Sequence, residues 1–248
     1  MTFHLQVEAL TSLAIDGSST PTEDELSQFL KDGVIDVTSK WIMVSPQDVN
    51  LFVRTSGEHT SNTSGPFAAE LDIVSVLREA GVNDDWRYCK EMPVAIESKA
   101  IDKESLFYAS KYNPIYTRNS GGVIKVFPAP EAGGANSYKV LYINDQPKEG
   151  DDDTDLVHGS SAIGFFPKKL ENVVVMYAGV KCLEAKIASL TIDDEDSELV
   201  NSLTTSYNVL KAQYDGYFGL QIKQMQKTQQ PPPVEQGQQT QGAQDEGG

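Results

Sequence analysis

Two long stretches near the end of the chain repeat apolar and small residues at intervals of three and four. In residues 167–190, Leu170, Val173, Val174, Tyr177, Ala178, Lys181, Cys182, Ala185, Ala188 and Ser189 fall on this spacing. The period predicts a helix with one close-packing face, and Pro167 suits its first turn, where a missing N–H costs nothing. In residues 194–226 the same period runs through Leu199, Leu203, Val209 or Leu210, Tyr214, Tyr217, Phe218, Ile222 and Met225. Asp193, Asp194, Glu195 and Asp196 crowd its start, where a helix dipole favours negative charge. At ~1.5 Å per residue this second arm runs about 50 Å. A helix of that length in a modest domain is expected to reach past its own core to a partner.

The first part of the chain is also helical by pattern. Residues 2–15 are expected to hold a short strand or an irregular arm. Thr20, Pro21 and Glu23 then fit an N-cap, a first helical position and the third residue of a capping box. Leu26, Phe29, Leu30, Val34, Val37 and Trp41 trace one face behind them. Gly33 weakens that helix by roughly 1 kcal/mol relative to alanine. A second start follows, with Ser45 as cap, Pro46 first and Asp48 third, and carries Val49, Phe52 and Val53. It breaks in the polar loop TSGEHTSNTSGP, which marks a boundary. Asn62-Thr63-Ser64 within that loop matches a glycosylation sequon, a match of little weight without a secretory signal.

From 67 to about 158 the pattern turns to β. Leu71, Ile73, Val74, Val76 and Leu77 predict a strand ending at a turn at Gly81, and Tyr88 and Cys89 begin another. Residues 93–108 allow a short helix. Residues 115–118, the turn 119–122 and residues 123–127 read as a hairpin. Residues 138–143 supply a further strand, with Val140 and Tyr142 on the face opposite to Leu141 and Ile143. After 226 the chain becomes Gln-, Pro- and Gly-rich with Val234 as its one sizeable apolar residue, too little to build a core, so disorder in isolation is expected.

The resulting fold expectation is α+β. An antiparallel helical bundle forms from residues 1–65 and 160–226, a β-rich insertion spans 66–159, and 227–248 is a disordered tail. Neither amphipathic pair can bury its apolar face alone, so the two terminal segments must meet.

Charge narrows the function classes. Acidic residues outnumber basic ones 36 to 20 in 248 residues, a net charge of −16. The tail does not explain this, because residues 1–226 hold 33 acidic against 19 basic side chains, a balance of −14. Such a surface repels nucleic-acid phosphates. No apolar run approaches the ~20 residues of a spanning helix, and the first residues carry neither the basic nor the apolar region of a secretory signal. Neither a membrane nor a secretory route is expected. Cys89 and Cys182 match no metal spacing and read as free buried thiols of a reducing compartment.

No catalytic constellation is legible, so no catalytic residue, cofactor-binding residue or metal ligand is assigned and the chain is expected not to be an enzyme. His4, His59 and His158 are scattered in sequence and fit no H-E-x-x-H frame. GSSAIG around Ser160 does not fit a nucleophile elbow. The glycine pairs at 121–122 and 133–134 suit turns rather than phosphate cradling. Asp151, Asp152, Asp153 and Asp155 lack the central glycine and terminal glutamate of a calcium loop. Tyr207, Tyr214 and Tyr217 could stack bases, but their helical spacing fits packing better.

Three segments together resemble the head-to-tail adaptor (connector, or head-completion) proteins of tailed bacteriophages. They are TPTEDELSQFLKDGVIDVTSKW, YNPIYTRNSGGVIKVFPAP and AIGFFPKKLENVVVMYAGVKCLEAK. In the last, Phe166-Pro167 leads into a helix bearing Val174, Tyr177, Ala178, Cys182 and Leu183 at the spacing seen in connector-like virion proteins. The resemblance covers residues 12–226 as an order of elements. It implies a non-enzymatic structural virion protein, commonly a dodecameric ring beneath the portal. Such a ring lengthens the DNA channel for genome ejection and supplies the platform for tail attachment, passing DNA without specific binding. The expected partners are the portal protein, through residues 194–248, tail or nozzle proteins, and further copies of the chain. The expected place is the neck of the virion, assembled in the host cytoplasm. Two alternatives stand beside this. One is another tail or nozzle subunit. The other is a carbohydrate- or ligand-binding module whose β section holds a pocket lined by Tyr112, Tyr116, Phe127 and Tyr138.

Overall fold

The computed structural model of the protein describes residues 1–63, 72–81, 85–119, 121–131, 136–143, 147–150, 154–192 and 197–229, with residue 192 and residues 220–229 by backbone alone. Helix α1 is Phe3–Thr11 and α2 is Glu23–Val44, and a 3-10 turn over Pro46–Phe52 leads into strand β1, Val53–Thr55. Strands β2 (Ile73–Glu79), β3 (Trp86–Tyr88) and β4 (Lys90–Glu91) follow. After a 3-10 turn over Val94–Ala100 come β5 (Ile115–Arg118), β6 (Ile124–Phe127) and β7 (Tyr138–Ile143). Helices α3 (Lys168–Ile192) and α4 (Ser197–Gln229) follow the sheets. The fold is a mixed α+β one. The acidic residues 193–196, most of the expected tail, and Asp151, Asp152 and Asp153 lie outside the described residues.

The first correction concerns residues 2–15, where a helix replaces the expected strand or arm. Thr2 caps it by accepting from the Leu5 N–H, and Phe3, Val7 and Thr11, one turn apart, are the buried positions. Their face packs on α3, and burying each such apolar side chain stabilises by roughly 1.5–3 kcal/mol. The second correction moves the start of α2. Thr22, not Thr20, is the N-cap, and its capping box closes with Glu25 rather than Glu23. Ser18 and Ser19 donate backbone N–H groups to the Asp16 carboxylate, and the Ser19 hydroxyl donates to the Pro21 carbonyl. Residues 16–21 are therefore committed to a turn, and the helix begins only when that turn ends.

Helix α3 is the hub. It packs against α1, α2 and α4, and Leu170, Val173, Val174, Val175, Ala178, Cys182 and Leu183 are all buried. A helix enclosed by three neighbours needs apolar residues around most of its circumference, which is why small residues recur in it. Gly33 of α2 has a packing reason of its own. A Cβ there would sit 2.9 Å from Cδ1 of Tyr177 and 3.2 Å from Cγ1 of Val174, so the missing side chain lets α2 and α3 approach. Gly33→Val is expected to destabilise by about 1–3 kcal/mol through overpacking, read as a lowered urea midpoint. A midpoint equal to or above that of the unaltered protein would refute this packing role.

The β section forms two sheets, one ordered β1-β7-β2-β3 and one ordered β4-β5-β6. The hairpin over 115–127 is present as expected, with Tyr116 opposite Val126 and with Gly121 and Gly122 at φ of 81° and 73° in its turn. Val76, Cys89, Tyr116, Ile124, Val126, Tyr138 and Val140 form the core between the sheets. Strand β1 comes from the N-terminal segment and pairs with β7, so the first sheet starts ahead of residue 66. The polar loop behind it is also tied in. The Asn62 side chain donates to the Val126 carbonyl at 2.8 Å and accepts from the Val126 N–H at 2.9 Å. The amide of this sequon thus pairs with the outer edge of β6 as a strand residue would.

Candidate interaction surfaces

Both cysteines and three of the four aromatics offered as a pocket lining are packed. Cys89 and Cys182 are free and buried, and burial pushes both thiols up to about 12. Tyr116, Phe127 and Tyr138 lie in the cores, while Tyr112 is exposed and carries Arg87 and Lys111 against its ring. These four aromatics therefore do not line one pocket. Burial and the neighbouring Glu91 hold the Tyr116 phenol well above its usual range. Among the described residues no group of three His, Cys, Asp or Glu side chains is placed to hold a metal ion, and no helix is long and apolar enough to cross a membrane.

Two of the scattered histidines meet. The rings of His4 and His158 lie edge to face at 5.7 Å. His4 Nε2 donates to the Ile15 carbonyl at 2.8 Å, and the Ser27 hydroxyl oxygen lies 3.3 Å from His158 Nδ1. Backbone bonds from Phe3 and His4 to the carbonyls of Ser160 and His158 dock the start of α1 on this segment. The pair is a seam between three parts of the chain.

The joint between α2 and α4 is built on Tyr214. Its hydroxyl donates to Asp36, which also receives Lys40 at 2.9 Å, and Lys40 lies over the Tyr214 ring at 4.7 Å. Tyr177 packs edge-on against the same ring. Burial first, then the Asp36 carboxylate, keeps the Tyr214 phenol protonated far above its usual range. Further along, Tyr217 meets Trp41 at 6.4 Å and Lys169 covers the Trp41 ring at 4.7 Å. The tyrosines of α4 therefore serve its packing.

These contacts fix how far α4 runs. With Tyr177 beside Tyr214 and Val180 and Leu183 against Leu210 in an antiparallel pair, Lys168 falls opposite about residue 222. The helix continues to Gln229, so its last seven or so residues, about 10 Å, run past the start of α3. In sequence, Ile222 and Met225 continue the spacing of Tyr214 and Phe218, and 219–234 contain Lys223 and Lys227 with no acidic residue. By sequence, this end is basic in an otherwise acidic chain.

A second surface lies where the helices meet the first sheet. Val34, Thr38, Phe52, Ile143, Pro147, Gly164, Phe165 and Phe166 line a small crevice of about 10 Å³, room for about one water, in which the Phe52 and Phe166 rings meet edge-on at 5.6 Å. Phe165 is 40% exposed and has a φ of 52°, a left-handed conformation that costs a bulky residue about 1–3 kcal/mol. The tight passage of the neighbouring chain holds it there. The Gly164 N–H donates to the Lys148 carbonyl at 2.9 Å, and a Cβ on Gly164 would overlap the Gly150 carbonyl. Arg54 lies over the Phe165 ring at 5.3 Å and so marks the rim of the crevice with a cation.

A third surface is the loop after Val94–Ala100, where Ile101, Leu106, Phe107 and Tyr112 are all exposed. Sequence periodicity found the α4 face but neither the histidine seam nor the crevice, since each assembles residues more than one hundred positions apart. No protein-family model matches this chain, and no curated protein matches it.

Proposed function

We propose that the protein is a structural subunit of a tailed-phage neck, an adaptor that forms a ring below the portal, extends the DNA channel and carries the tail-attachment platform. In this reading the four helices act as one antiparallel bundle, and the residues beyond α4 are a disordered tail until they dock. The observation that carries the reading is the run of α4 past the start of α3, continued in sequence by apolar and basic residues. Residues 194–248 then face the portal, trading ordering entropy for wide surface coverage. The exposed apolar loop around Leu106 and Phe107 supplies a surface for tail or nozzle proteins or for a neighbouring subunit, in keeping with its exposure. The resemblance of the three sequence segments to head-to-tail adaptors supports the same role, which has no enzymatic step and no cofactor.

A DNA conduit works with a wall of low affinity, because tight phosphate contacts would hinder ejection. The excess of carboxylates fits that demand. At moderate salt the purified protein is expected to bind duplex DNA more weakly than about 10⁻⁴ M, the weak end of ordinary non-specific binding, in a filter-retention or anisotropy titration. Micromolar binding would remove the conduit from the account. Co-sedimentation with a portal ring tests the adaptor role itself.

A further inference from the structure

The loop 101–108 is built as a rigid apolar tip. The Ser105 N–H donates to the Asp102 carbonyl and the Tyr108 N–H to the Ser105 carbonyl, so two turns follow one another. The Ala109 N–H closes their base on the Ala100 carbonyl at 2.9 Å, and both alanines are buried with Met92 and Phe127. Leu106 and Phe107 are the central residues of the second turn, where glycine, proline, asparagine or aspartate is usual. Both are exposed, as are Ile101, Tyr108 and Tyr112. Folding requires none of these side chains at the surface. An aromatic, apolar centre with charges around it is the make-up of a protein interface.

Charge selects the partner. Residues 86–118 hold six basic and four acidic side chains, whereas the other residues of the chain hold 14 and 32. Within the segment, Glu91 accepts from the Tyr116 hydroxyl, Glu97 pairs with Lys125, and Asp102 accepts the Glu104 N–H. Glu104 is left against Lys90, Lys99 and Lys103, which have no ion pair among the described residues. The rest of the same chain offers the complement. Asp24, Asp32, Ile35, Ser39 and Met43 fall on one side of α2, opposite to its buried face, and Ile35 and Met43 are exposed. The cations flanking this row are already taken, Lys31 by Asp155 and Lys40 by Asp36. The row is thus acidic and apolar where the loop is basic and apolar. Both surfaces are exposed in the single chain, so neither covers the other.

We propose that the loop 101–108 of one chain docks on the outer face of α2 of a second copy, with Leu106 and Phe107 against Ile35 and Met43 and the lysines beside Asp24 and Asp32. Two such loops face to face would set lysines against lysines. The contact is therefore head-to-tail, the kind that closes into a ring. The inference rests on the ring reading and deepens it by naming the contact between neighbouring subunits. It leaves residues 194–248 to the portal.

The test uses full-length protein in which Phe107 is replaced by photoreactive benzoyl-phenylalanine, mixed with isotope-labelled full-length chains that keep Phe107. The mixture is irradiated alone at high concentration and again with a portal ring, and cross-linked peptides are identified by mass. Cross-links from unlabelled position 107 to labelled peptides within 24–43 are expected. Lys103→Glu in the cross-linking chain should lower their yield roughly tenfold, and Asp32→Lys in the labelled chain should restore it, as for an interfacial charge pair. Cross-links confined to single chains, cross-links only outside α2, or a yield that the second substitution does not restore would overturn the inference. So would flotation of the protein with vesicles of phosphatidylcholine and phosphatidylglycerol that Leu106→Ser abolishes, since the tip would then serve a lipid surface. The ring reading would survive such a result if the protein still co-sedimented with the portal. Cross-links between chains without portal binding would instead uphold the contact and sink the neck assignment.

Discussion

Tyr214→Ala is expected to lower stability by about 3–5 kcal/mol, the cost of removing a buried aromatic side chain. The ring fills the space between Tyr177, Phe218 and the Lys40 side chain, and its hydroxyl is a partner of Asp36. The substitution leaves the Asp36–Lys40 pair without its lid and opens a cavity where α4 leaves the body. Tyr214→Phe separates the two contributions. It keeps the ring, removes the donor to a partly buried carboxylate, and is expected to cost about 1–2 kcal/mol. Urea unfolding followed by circular dichroism reads both. Equal losses from the two variants would contradict the packing account, because the ring would then contribute nothing.

Alkaline pH is the second large effect. Cys89 and Cys182 are held at about 12 by burial, and the Tyr116 and Tyr214 phenols are held above their usual range. In each case the unfolded chain gives up its proton at lower pH than the folded one. The stabilising difference is fully present below pH ~8.5–9, where unfolded thiols begin to ionise. It is lost as pH rises from there toward 12. Each unit of that rise costs about 1.4 kcal/mol per group, so the two thiols alone remove roughly 4 kcal/mol by pH 10.5. Urea midpoints at pH 7.5, 9 and 10.5 should be level over the first interval and fall steeply over the second. Cys182→Ala should flatten the fall. A midpoint unchanged to pH 11 would show that the thiols are not buried as described.

The parts of this fold that were legible in the sequence are those where one local pattern had no rival. The spacing of Leu170, Val174, Ala178 and Cys182 admits only a helix, and Asn119-Ser120-Gly121-Gly122 between two alternating runs admits little but a hairpin. Where two patterns overlapped, tertiary contacts chose. Phe3, Leu5 and Val7 alternate as a strand would, yet Phe3, Val7 and Thr11 also share a helical face, and packing on α3 selects the helix. Thr20 with Glu23 and Thr22 with Glu25 are two capping boxes two residues apart, and the Asp16 turn selects the later one. Gly33, read as a weakness in a helix, is the point that lets two helices touch. The interaction surfaces were half legible. The α4 stripe was visible because it is continuous in sequence, while the crevice was not, since Val34, Phe52, Ile143 and Phe165 become neighbours only on folding.

The measurement closest to the central claim is electron microscopy of the full-length protein mixed with an assembled portal ring, after co-sedimentation of the two. The account predicts a closed ring of this subunit seated below the portal and coaxial with its channel. The ends of α4 should point toward the portal, and the loops bearing Leu106 should lie away from it. A protein that stays in the supernatant, or that binds the portal as scattered single copies with α4 turned outward, would contradict it.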